Sequence, residues 1–263
     1  MTFVRVNAVI QARLSSTRLP GKVLRPLGGR SVLSWVVRAA AHTPGLDSVV
    51  VATSADAEDD PVAEEAARCG AAVVRGPLDD VLSRFDLAVR AHPCDALVRL
   101  TADCPLHDPA VISAVVSLWR GDPDLHYVSS TLERSLPRGF DVELLRRDVL
   151  AEQVITASGP HREHVTSGVY TEPERYRCAG VVFRPAAADL RVTLDTPEDA
   201  ALLDALVAEL GDRVPRWREV VGLLRARPEL VALNAGVEQK PLTPTPRQLG
   251  VGEPRPPRPS AAG

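Results

Sequence analysis

A loop rich in cationic and hydroxyl side chains follows the first apolar run of the chain. Its sequence is Arg13-Leu-Ser-Ser-Thr-Arg-Leu-Pro-Gly-Lys22, with cations at Arg13, Arg18 and Lys22. Successive N–H groups in such a turn can form an anion nest, and Arg and Lys add charge-assisted hydrogen bonds to phosphate oxygens. The loop has the spacing of neither a Walker loop nor a dinucleotide fingerprint. Two interpretations therefore stand at this point, a phosphate-binding loop and a solvated basic turn.

Two aspartates further along the chain each follow a predicted strand. Asp103 lies in Arg99-Leu-Thr-Ala-Asp103-Cys-Pro105, and Asp195 lies in Arg191-Val-Thr-Leu-Asp195-Thr-Pro-Glu-Asp199. Ligands of open α/β sheets bind beyond the carboxyl ends of the strands, so both carboxylates are expected at one cleft, where they could hold Mg²⁺. The alternative for Asp103 is that it only caps the next turn. Glu198 and Asp199 are expected to be structural, because carboxylates stabilise a helix N-terminus.

The first 120 residues alternate between short apolar runs and helical patterns. Strands are predicted at Val4–Gln11, Ser48–Thr53, Ala71–Arg75 and Ala96–Thr101, and helices at Ser31–Ala41, Asp60–Cys69, Asp80–Ala91 and Asp108–Trp119. The strand segments are apolar with little alternation, which is typical of strands that are buried on both faces of a parallel sheet. The predicted fold class is therefore α/β, with a doubly wound, mostly parallel, Rossmann-like sheet.

The pattern becomes less regular after Gly121. Strands are predicted at Leu125–Ser130, Phe140–Leu144, Cys178–Val182 and Arg191–Leu194, and helices at Arg146–Thr156, Arg162–Val169, Thr196–Leu210 and Arg216–Ala226. We interpret this part as the second half of the same domain, with an inserted lid or dimerisation segment. The expected organisation is one domain over residues 1–239, divided at about residue 120 into a nucleotide-binding half and an acceptor or dimerisation half. Residues 240–263 are rich in proline and are expected to be a disordered tail.

Composition narrows the class of ligand and the cellular location. Of the 263 residues 45% are hydrophobic, and the formal net charge is −3. Residues 240–263 carry four cationic side chains and one carboxylate, which leaves −6 on residues 1–239. A mildly acidic body argues against a nucleic acid ligand. The four cysteines form no CxxC pair, and no signal peptide or membrane-spanning run is present, so a cytoplasmic location is expected.

Several segments together resemble one enzyme family. The segment Val9-Ile-Gln-Ala-Arg13 with the loop up to Lys22 resembles the opening of the CMP-Kdo and acylneuraminate cytidylyltransferases, and among them the spore-coat polysaccharide branch. Further matching motifs follow in the order of that branch: Thr101-Ala-Asp103-Cys-Pro105, Pro137-Arg-Gly-Phe-Asp-Val-Glu143, Arg162-Glu-His-Val-Thr166 and Thr193-Leu-Asp195-Thr-Pro-Glu-Asp199. The resemblance covers roughly residues 4–210.

The resemblance implies a nucleotide-diphosphosugar-transferase fold, Mg²⁺ dependence, pyrophosphate release and a role in polysaccharide or natural-product biosynthesis. Carried over by position, Arg13 and Lys22 would bind the triphosphate, and Asp103 and Asp195 would hold Mg²⁺. Gln11, Ala12, Arg18 and Thr101 would complete the nucleotide site. CTP is the favoured nucleotide, and a homodimer is expected. The chain departs from the branch at Ser15, where glycine is usual, so the loop could have a different shape.

The middle segment is expected to select the acceptor, a small anion such as a sugar acid, sugar phosphate or phosphonate. The predicted acceptor-binding residues are Arg138, Asp141, Glu143, Arg162 and His164. An arginine there could hold a carboxylate or phosphate with two hydrogen bonds. His164 could be a base, or an ordinary hydrogen-bonded or dimer-contact histidine. The pair Asp79-Asp80 could touch the nucleoside or only cap the helix at Val81.

Two other functions compete with the nucleotidyltransferase. One is a glycosyltransferase that consumes a nucleotide sugar on a related fold. It is disfavoured because Thr101-Ala-Asp103 lacks the first Asp of an Asp-x-Asp motif. The other is a non-catalytic relative, which is disfavoured because both predicted metal ligands and both predicted phosphate cations are present.

Overall fold

Seven strands form one sheet at the centre of the computed structural model, which describes residues 4–238. They are β1 (Val6–Gln11), β4 (Ser48–Ser54), β5 (Ala72–Gly76), β6 (Ala96–Thr101), β7 (Tyr127–Ser129), β8 (Glu143–Arg146) and β9 (Cys178–Gly180); a separate hairpin joins β2 (Pro26–Leu27) to β3 (Arg30–Ser31). The strand order is β5-β4-β1-β6-β8-β7-β9. Only β8 runs antiparallel to its neighbours in this sheet. The predicted α/β class with a mostly parallel sheet is confirmed.

The register of the central strands determines where the site can form. β1 pairs in parallel with β4 on one side and β6 on the other, so that Gln11 lies opposite both Ala52 and Thr101. The carboxyl ends of β1 and β6 therefore coincide at one edge of the sheet. The loops that follow these two strands leave from adjacent points of that edge, where open α/β sheets bind ligands.

Ten helices within residues 4–238 cover the two faces of the sheet. They are α1 (Val32–Ala41), α2 (Asp60–Arg68), α3 (Val81–Ala91), α4 (Pro109–Gly121), α5 (Arg147–Thr156), α6 (Pro160–His164), α7 (Ser167–Tyr170), α8 (Pro197–Leu210), α9 (Trp217–Ala226) and α10 (Pro228–Ala232). Ser31, Asp80, Asp108 and Thr196 each accept a hydrogen bond from an N–H in the first turn of α1, α3, α4 and α8. These caps explain why the starts of these helices could be predicted from the sequence.

Each face of the sheet has its own apolar core. Val6, Ala8 and Ile10 of β1 belong to the larger core, which includes buried side chains of α1, α4 and α8. Val9 points to the other face and packs in the smaller core with side chains of α3 and α5. Side chains alternate along a strand, so burial on both faces explains the continuous apolar run of β1.

Three predicted elements differ from the structure. The predicted strand Arg191–Leu194 is wrong, because this segment forms only an isolated parallel bridge between Arg138 and Arg191. The predicted helix Arg162–Val169 is interrupted at Val165, whose φ of 56° is left-handed. The predicted strand Phe140–Leu144 begins later, at Glu143. Arg191 does pair, but with Arg138 in a loop. The strand predicted from Phe140 does form, but over Glu143–Arg146.

Other expectations concern the rest of the chain. None of the helices within residues 4–238 is long and apolar enough to cross a membrane. All four cysteines are free, and Cys94 and Cys104 are buried. The expected tail, residues 240–263, lies outside the described residues.

Candidate active site

The loop after β1 is closed at its base and anchored to β4. The Gly21 N–H donates to the Leu14 carbonyl at 3.0 Å, and the Leu14 N–H donates to Asp59 Oδ1 at 2.7 Å. Asp59 is buried and also accepts from the Ser54 N–H at the end of β4. Gly21 has a φ of 71°, a left-handed conformation that glycine adopts without strain. The loop therefore has a fixed entry and exit.

The middle of the same loop carries unused hydrogen-bond donors. Within the described part of the chain, the backbone N–H groups of residues 15–19 have no acceptor. Ser15, Ser16, Thr17 and Arg18 all line the central cleft. Ser15 has no positive φ, so the replacement of the usual glycine does not force a strained conformation here. Consecutive free N–H groups beside cationic side chains can bind a polyanion.

The two aspartates predicted from separate motifs are held side by side. The Asp103 carbonyl accepts hydrogen bonds from the Leu194 N–H at 2.8 Å and from Thr193 Oγ1 at 3.2 Å. These contacts fix the segment before Asp195 against the turn after β6. Nearby, the backbone of residues 192–193 passes so close to Gly139 that an added Cβ would lie 2.7 Å from the Val192 carbonyl carbon. Both carboxylates therefore reach the same point of the cleft.

The Lys22 ammonium lies between these carboxylates. Its Nζ is 2.7 Å from Asp103 Oδ2 and 2.7 Å from Asp195 Oδ1, and only 12% of the side chain is exposed. Burial works to lower the pKa of Lys22, but the two carboxylates outweigh it and raise that pKa. Burial likewise works to raise the pKa of Asp103, and the neighbouring Lys22 lowers it. Lys22 and Asp103 are therefore both charged at neutral pH.

Two further cations bind the other oxygen of Asp195. Arg18 Nη2 lies 3.1 Å and Arg191 Nη2 lies 2.8 Å from Asp195 Oδ2. Including Lys22, three cationic side chains contact one carboxylate. Asp103 also pairs with Lys22 and Asp199 also pairs with Arg191, so three cations and three carboxylates form one network at this point.

The donor set fits a hard divalent cation that is shared with a phosphate. Within residues 4–238, no group of three or more His, Cys, Asp and Glu side chains could form a complete metal site. The Asp103–Asp195 pair already surrounds a cation, the Lys22 ammonium, with one oxygen from each carboxylate. Mg²⁺ commonly takes one or two carboxylates and completes its shell with substrate phosphates and water. The pair suits that mode of binding if Lys22 moves away.

A cleft of about 1020 Å³ extends from this point along the carboxyl edge of the sheet. It is lined by all the predicted nucleotide and metal residues, namely Gln11, Ala12, Arg13, Arg18, Lys22, Thr101, Asp103 and Asp195. Four of the five predicted acceptor residues also line it, namely Arg138, Asp141, Glu143 and His164. The lining contains seven Arg or Lys side chains and five carboxylates. A chain with negative net charge therefore has a cationic cleft, which suits an anionic substrate.

Arg162 is the predicted acceptor residue that the fold does not bring to the cleft. Its Nη2 lies 2.7 Å from Asp80 Oδ2, and its Nη1 donates to the Val154 and Ala157 carbonyls at 3.1 Å. Asp80 in turn caps α3 by accepting from the Ser83 N–H at 3.0 Å. The expected acceptor contact is thus replaced by a structural one, because the guanidinium is used to join α3, α5 and α6. For Asp80, this geometry favours the capping interpretation.

Asp141 and Glu143 line the cleft with their carboxylates already paired. Arg134 binds Asp141 through two hydrogen bonds of 2.6 and 2.9 Å. Glu143 pairs with Arg99 and accepts hydrogen bonds from Tyr127 and Thr166, both at 2.6 Å. The two carboxylates therefore position neighbouring cations and are not free acceptor ligands. Sequence reasoning did not identify Arg134 or Arg99 as site residues. For Arg99 a signal exists, because it is a charged residue within the otherwise apolar strand β6.

Among the predicted acceptor residues, Arg138 is the arginine that forms no ion pair within the described residues. Burial, followed by the neighbouring Arg134, lowers the pKa of Arg138. Asp141 lies nearby but is occupied by Arg134. The Arg138 backbone bonds to the Leu190 carbonyl and the Val192 N–H, at 3.0 and 2.7 Å, so its position is fixed. This arrangement fixes the backbone of Arg138 at the cleft and leaves its guanidinium available to a carboxylate or phosphate.

Glu163 and His164, the last two residues of α6, also line the cleft. Burial lowers the pKa of His164, so its imidazole is neutral at neutral pH. Arg13 lies 3.5 Å from Glu163, and both side chains are substantially exposed. The left-handed backbone at Val165 separates His164, which lines the cleft, from Thr166, which binds Glu143. A β-branched residue rarely adopts this conformation, and such outliers concentrate at functional sites.

Sequence comparison shows similarity to known proteins along most of the chain. Residues 7–133 match a family model described as cytidylyltransferase. The spore coat polysaccharide biosynthesis protein SpsF of Bacillus subtilis (strain 168) is 32% identical over 233 residues, which cover 84% of this chain and 94% of that protein.

Solved structures give the same result. A cytidylyltransferase from Leptospira borgpetersenii serovar Hardjo-bovis (strain JB197) aligns with a TM-score of 0.84 and 27% identity, over 87% of this chain and 97% of that one. CMP:2-keto-3-deoxy-manno-octonic acid synthetase complexed with CTP aligns with a TM-score of 0.64 and 20% identity, over 79% of this chain and all of the other, a likeness of fold. The similarity therefore includes both halves of the sheet.

Proposed function

Because the chain belongs to the cytidylyltransferase family, in its SpsF-like branch, we propose that it transfers CMP from CTP to a small anionic acceptor, with Mg²⁺ and with release of pyrophosphate. One observation carries the proposal. Lys22 and Arg18, from a loop with free N–H groups, meet Asp103 and Asp195 at one point of a cationic cleft. Cations for a triphosphate and carboxylates for its metal ion are thereby adjacent, as nucleotidyl transfer requires.

In the proposed reaction, an acceptor oxygen forms a bond to the α-phosphorus of CTP. The bond from that phosphorus to the oxygen bridging to the β-phosphate breaks, and pyrophosphate leaves with the electron pair. Arg13, Lys22 and the loop N–H groups hold the β- and γ-phosphates and stabilise the charge of the leaving group. An acceptor hydroxyl gives up its proton, for which the neutral imidazole of His164 is the candidate base.

Lys22 has two sets of partners in this proposal. Without nucleotide it neutralises Asp103 and Asp195, as observed. With nucleotide it turns to the phosphates, and the two carboxylates become available to Mg²⁺. The metal ion would supply Lewis-acid neutralisation of the phosphate oxygens. Gln11, held by Arg99 at 3.0 Å, and Ala12 then border the nucleoside.

The experiment that tests this function measures pyrophosphate release with each of the four common nucleoside triphosphates. Each nucleotide is combined with Mg²⁺ and a panel of sugar acids, sugar phosphates and phosphonates. We expect turnover with CTP and at least one anionic acceptor, and none with the neutral sugars included as controls. Turnover with no pair, from protein that is folded by circular dichroism, would contradict the proposal. Membership of the cytidylyltransferase family and the missing first Asp of an Asp-x-Asp motif argue against the glycosyltransferase alternative.

The acceptor half yields a specific prediction for Arg138. Arg138→Gln is expected to raise the KM for the anionic acceptor and to leave the KM for CTP nearly unchanged. A hydrogen bond to a charged group contributes about 1.5–3 kcal/mol, which corresponds to a loss of about 10–150-fold in kcat/KM for the acceptor. The measurement is initial-rate kinetics with each substrate varied in turn.

Arg225→Gln is the matched control, because Arg225 pairs with Asp189 on the surface and does not line the cleft. Equal loss of affinity for both substrates in Arg138→Gln would place that arginine outside the acceptor site.

The organisation into one domain over residues 1–239, the homodimer and the cytoplasmic location stay predictions. Their direct tests are limited proteolysis, sedimentation and fractionation.

A further inference from the structure

Asp199 is a fully buried carboxylate with an unusually complete set of partners. Its relative exposure is 0%, and its oxygens accept from the Arg191 guanidinium twice at 2.9 Å. They also accept from the Asp195 and Thr196 N–H groups at 2.9 and 3.2 Å, and from Asn234 Nδ2 at 2.8 Å. Burial works to raise the pKa of Asp199, but Arg191 and Asn234 lower it. The group is therefore an ionised anchor inside the protein.

Arg191 connects this anchor to the cleft. Its Nη2 donates to Asp199 Oδ2 at 2.9 Å and to Asp195 Oδ2 at 2.8 Å, and only 9% of its side chain is exposed. Asp199 thus holds Asp195 twice, through the Asp195 backbone N–H and through Arg191. Because Arg191 and Arg18 both bind Oδ2, the other oxygen, Oδ1, points to Lys22 and shares it with Asp103.

We propose that Arg191 and Asp199 are positioning residues that orient Asp195 so that its Oδ1 faces the cation between Asp195 and Asp103. This inference rests on the proposed function, in which that cation is Lys22 in the free enzyme and a divalent metal ion in the nucleotide complex. Neither residue lines the cleft. Their effect is on the geometry of one carboxylate, since a carboxylate free to rotate would offer the cation a less well-defined ligand.

A role as a helix cap alone does not account for this arrangement. Asp199 and Thr196 form the capping box of α8, which already satisfies the first turn of that helix. Glu219 is the equivalent carboxylate of α9. It accepts from the Arg216 N–H at 2.8 Å and binds Arg213 through two hydrogen bonds on the surface, with no contact to the cleft. Asp199 and Glu219 therefore occupy the same position in the first turn of a helix. Only Asp199 is connected to the cleft, through Arg191 and Asp195.

This pair provides a matched experiment with Asp199→Asn and Glu219→Gln. In Asp199→Asn the introduced NH₂ group meets other hydrogen-bond donors in both orientations of the amide. In the position of Oδ1 it faces Arg191 and Asn234. In the position of Oδ2 it faces Arg191 and the N–H groups of Asp195 and Thr196. We expect Mn²⁺, as a paramagnetic probe for the Mg²⁺ site, to bind the CTP complex of Asp199→Asn about 10–100-fold more weakly than that of the wild type. Glu219→Gln should bind Mn²⁺ like the wild type. The measurement is free Mn²⁺ by electron paramagnetic resonance, with Tm recorded for each variant.

A lower Tm of Asp199→Asn with unchanged Mn²⁺ affinity would overturn the inference, because a helix cap alone predicts that result. If Asp199→Asn does not fold, Arg191→Lys carries the test. The lysine keeps the charge but cannot hold Asp199 and Asp195 with the same fork, so Mn²⁺ affinity should again fall, and wild-type affinity would overturn the proposal. Failure of the proposed function is distinguishable, since the wild type itself would then show no Mn²⁺ binding that depends on CTP.

Discussion

Replacing Lys22 by methionine is expected to reduce turnover and, at the same time, to create metal binding in the absence of nucleotide. Methionine has about the same length but carries no charge. The loss of one donor to the leaving pyrophosphate should reduce kcat by about 10²–10³-fold. Without the ammonium, Asp103 Oδ2 and Asp195 Oδ1 face each other with no cation between them, so Mn²⁺ should bind the free enzyme at least about 10-fold more tightly than in the wild type. Pyrophosphate release and electron paramagnetic resonance measure the two effects.

The same substitution should make stability depend on metal ion and on pH. Two carboxylates that lose their common partner cost about 1–3 kcal/mol of unfolding free energy, and Mg²⁺ should restore part of it by binding the folded state. The pKa of Asp103 is lowered by Lys22 from its ordinary 3.8, so its contribution is present above that pH and is lost as the pH falls through the folded value.

The pKa of Lys22 is raised above 10.5, so its contribution is present below that pH and is lost as the pH rises further. The difference in unfolding free energy between wild type and Lys22→Met should therefore be largest between about pH 4.5 and pH 10 and should shrink below pH 4. Urea unfolding across this range measures it.

Arg25→Met is the control for Lys22→Met. Arg25 lies three residues further on and pairs with Asp204 outside the cleft. It should leave kcat and metal binding unchanged. Wild-type Mn²⁺ affinity of nucleotide-free Lys22→Met would show that the ammonium does not compete with the metal ion.

The second large effect is expected from Asp103→Asn. The amide keeps the shape of the side chain but removes one of the two anionic ligands proposed for Mg²⁺. Because a bound metal ion contributes several kcal/mol to stabilising transition-state charge, kcat should fall by about 10²-fold or more. The Mg²⁺ concentration for half-maximal rate should rise at least about 10-fold. Rates measured over a Mg²⁺ series at saturating CTP give both values.

Asp204→Asn serves as the matched control, because it removes a carboxylate that pairs with Arg25 on the surface. It should leave the Mg²⁺ dependence as in the wild type. An unchanged Mg²⁺ dependence in Asp103→Asn would remove Asp103 from the metal site and leave it as a partner of Lys22 alone.

The sequence alone was sufficient for the elements of the first 120 residues. The apolar runs of β1, β4 and β6 are buried on both faces and that of the edge strand β5 is partly buried, and Ser or Asp caps mark the helices that follow them. The loop from Arg13 to Lys22 could be located because it directly follows the central strand. Fold class and family were therefore predictable, since they depend on local periodicity and on residues that are contiguous in the chain.

The part of the chain after Gly121 was less predictable, because its structure depends on contacts between distant segments. The segment Arg191–Leu194 has the composition of a strand but pairs only with Arg138, since Gly139 brings these two stretches of backbone together. The guanidinium of Arg162 could bind an anion, but it pairs with Asp80, which caps α3.

Only the tertiary structure decided which charges meet. From the sequence, Lys22 is a phosphate cation and Asp103 and Asp195 are metal ligands, as three separate assignments. The fold places one ammonium 2.7 Å from both carboxylates and joins Asp195 through Arg191 to the buried Asp199. The physical reason is that an ion pair depends on a few ångströms in space, and residues from three separate segments reach that distance only after the sheet and its connections have formed.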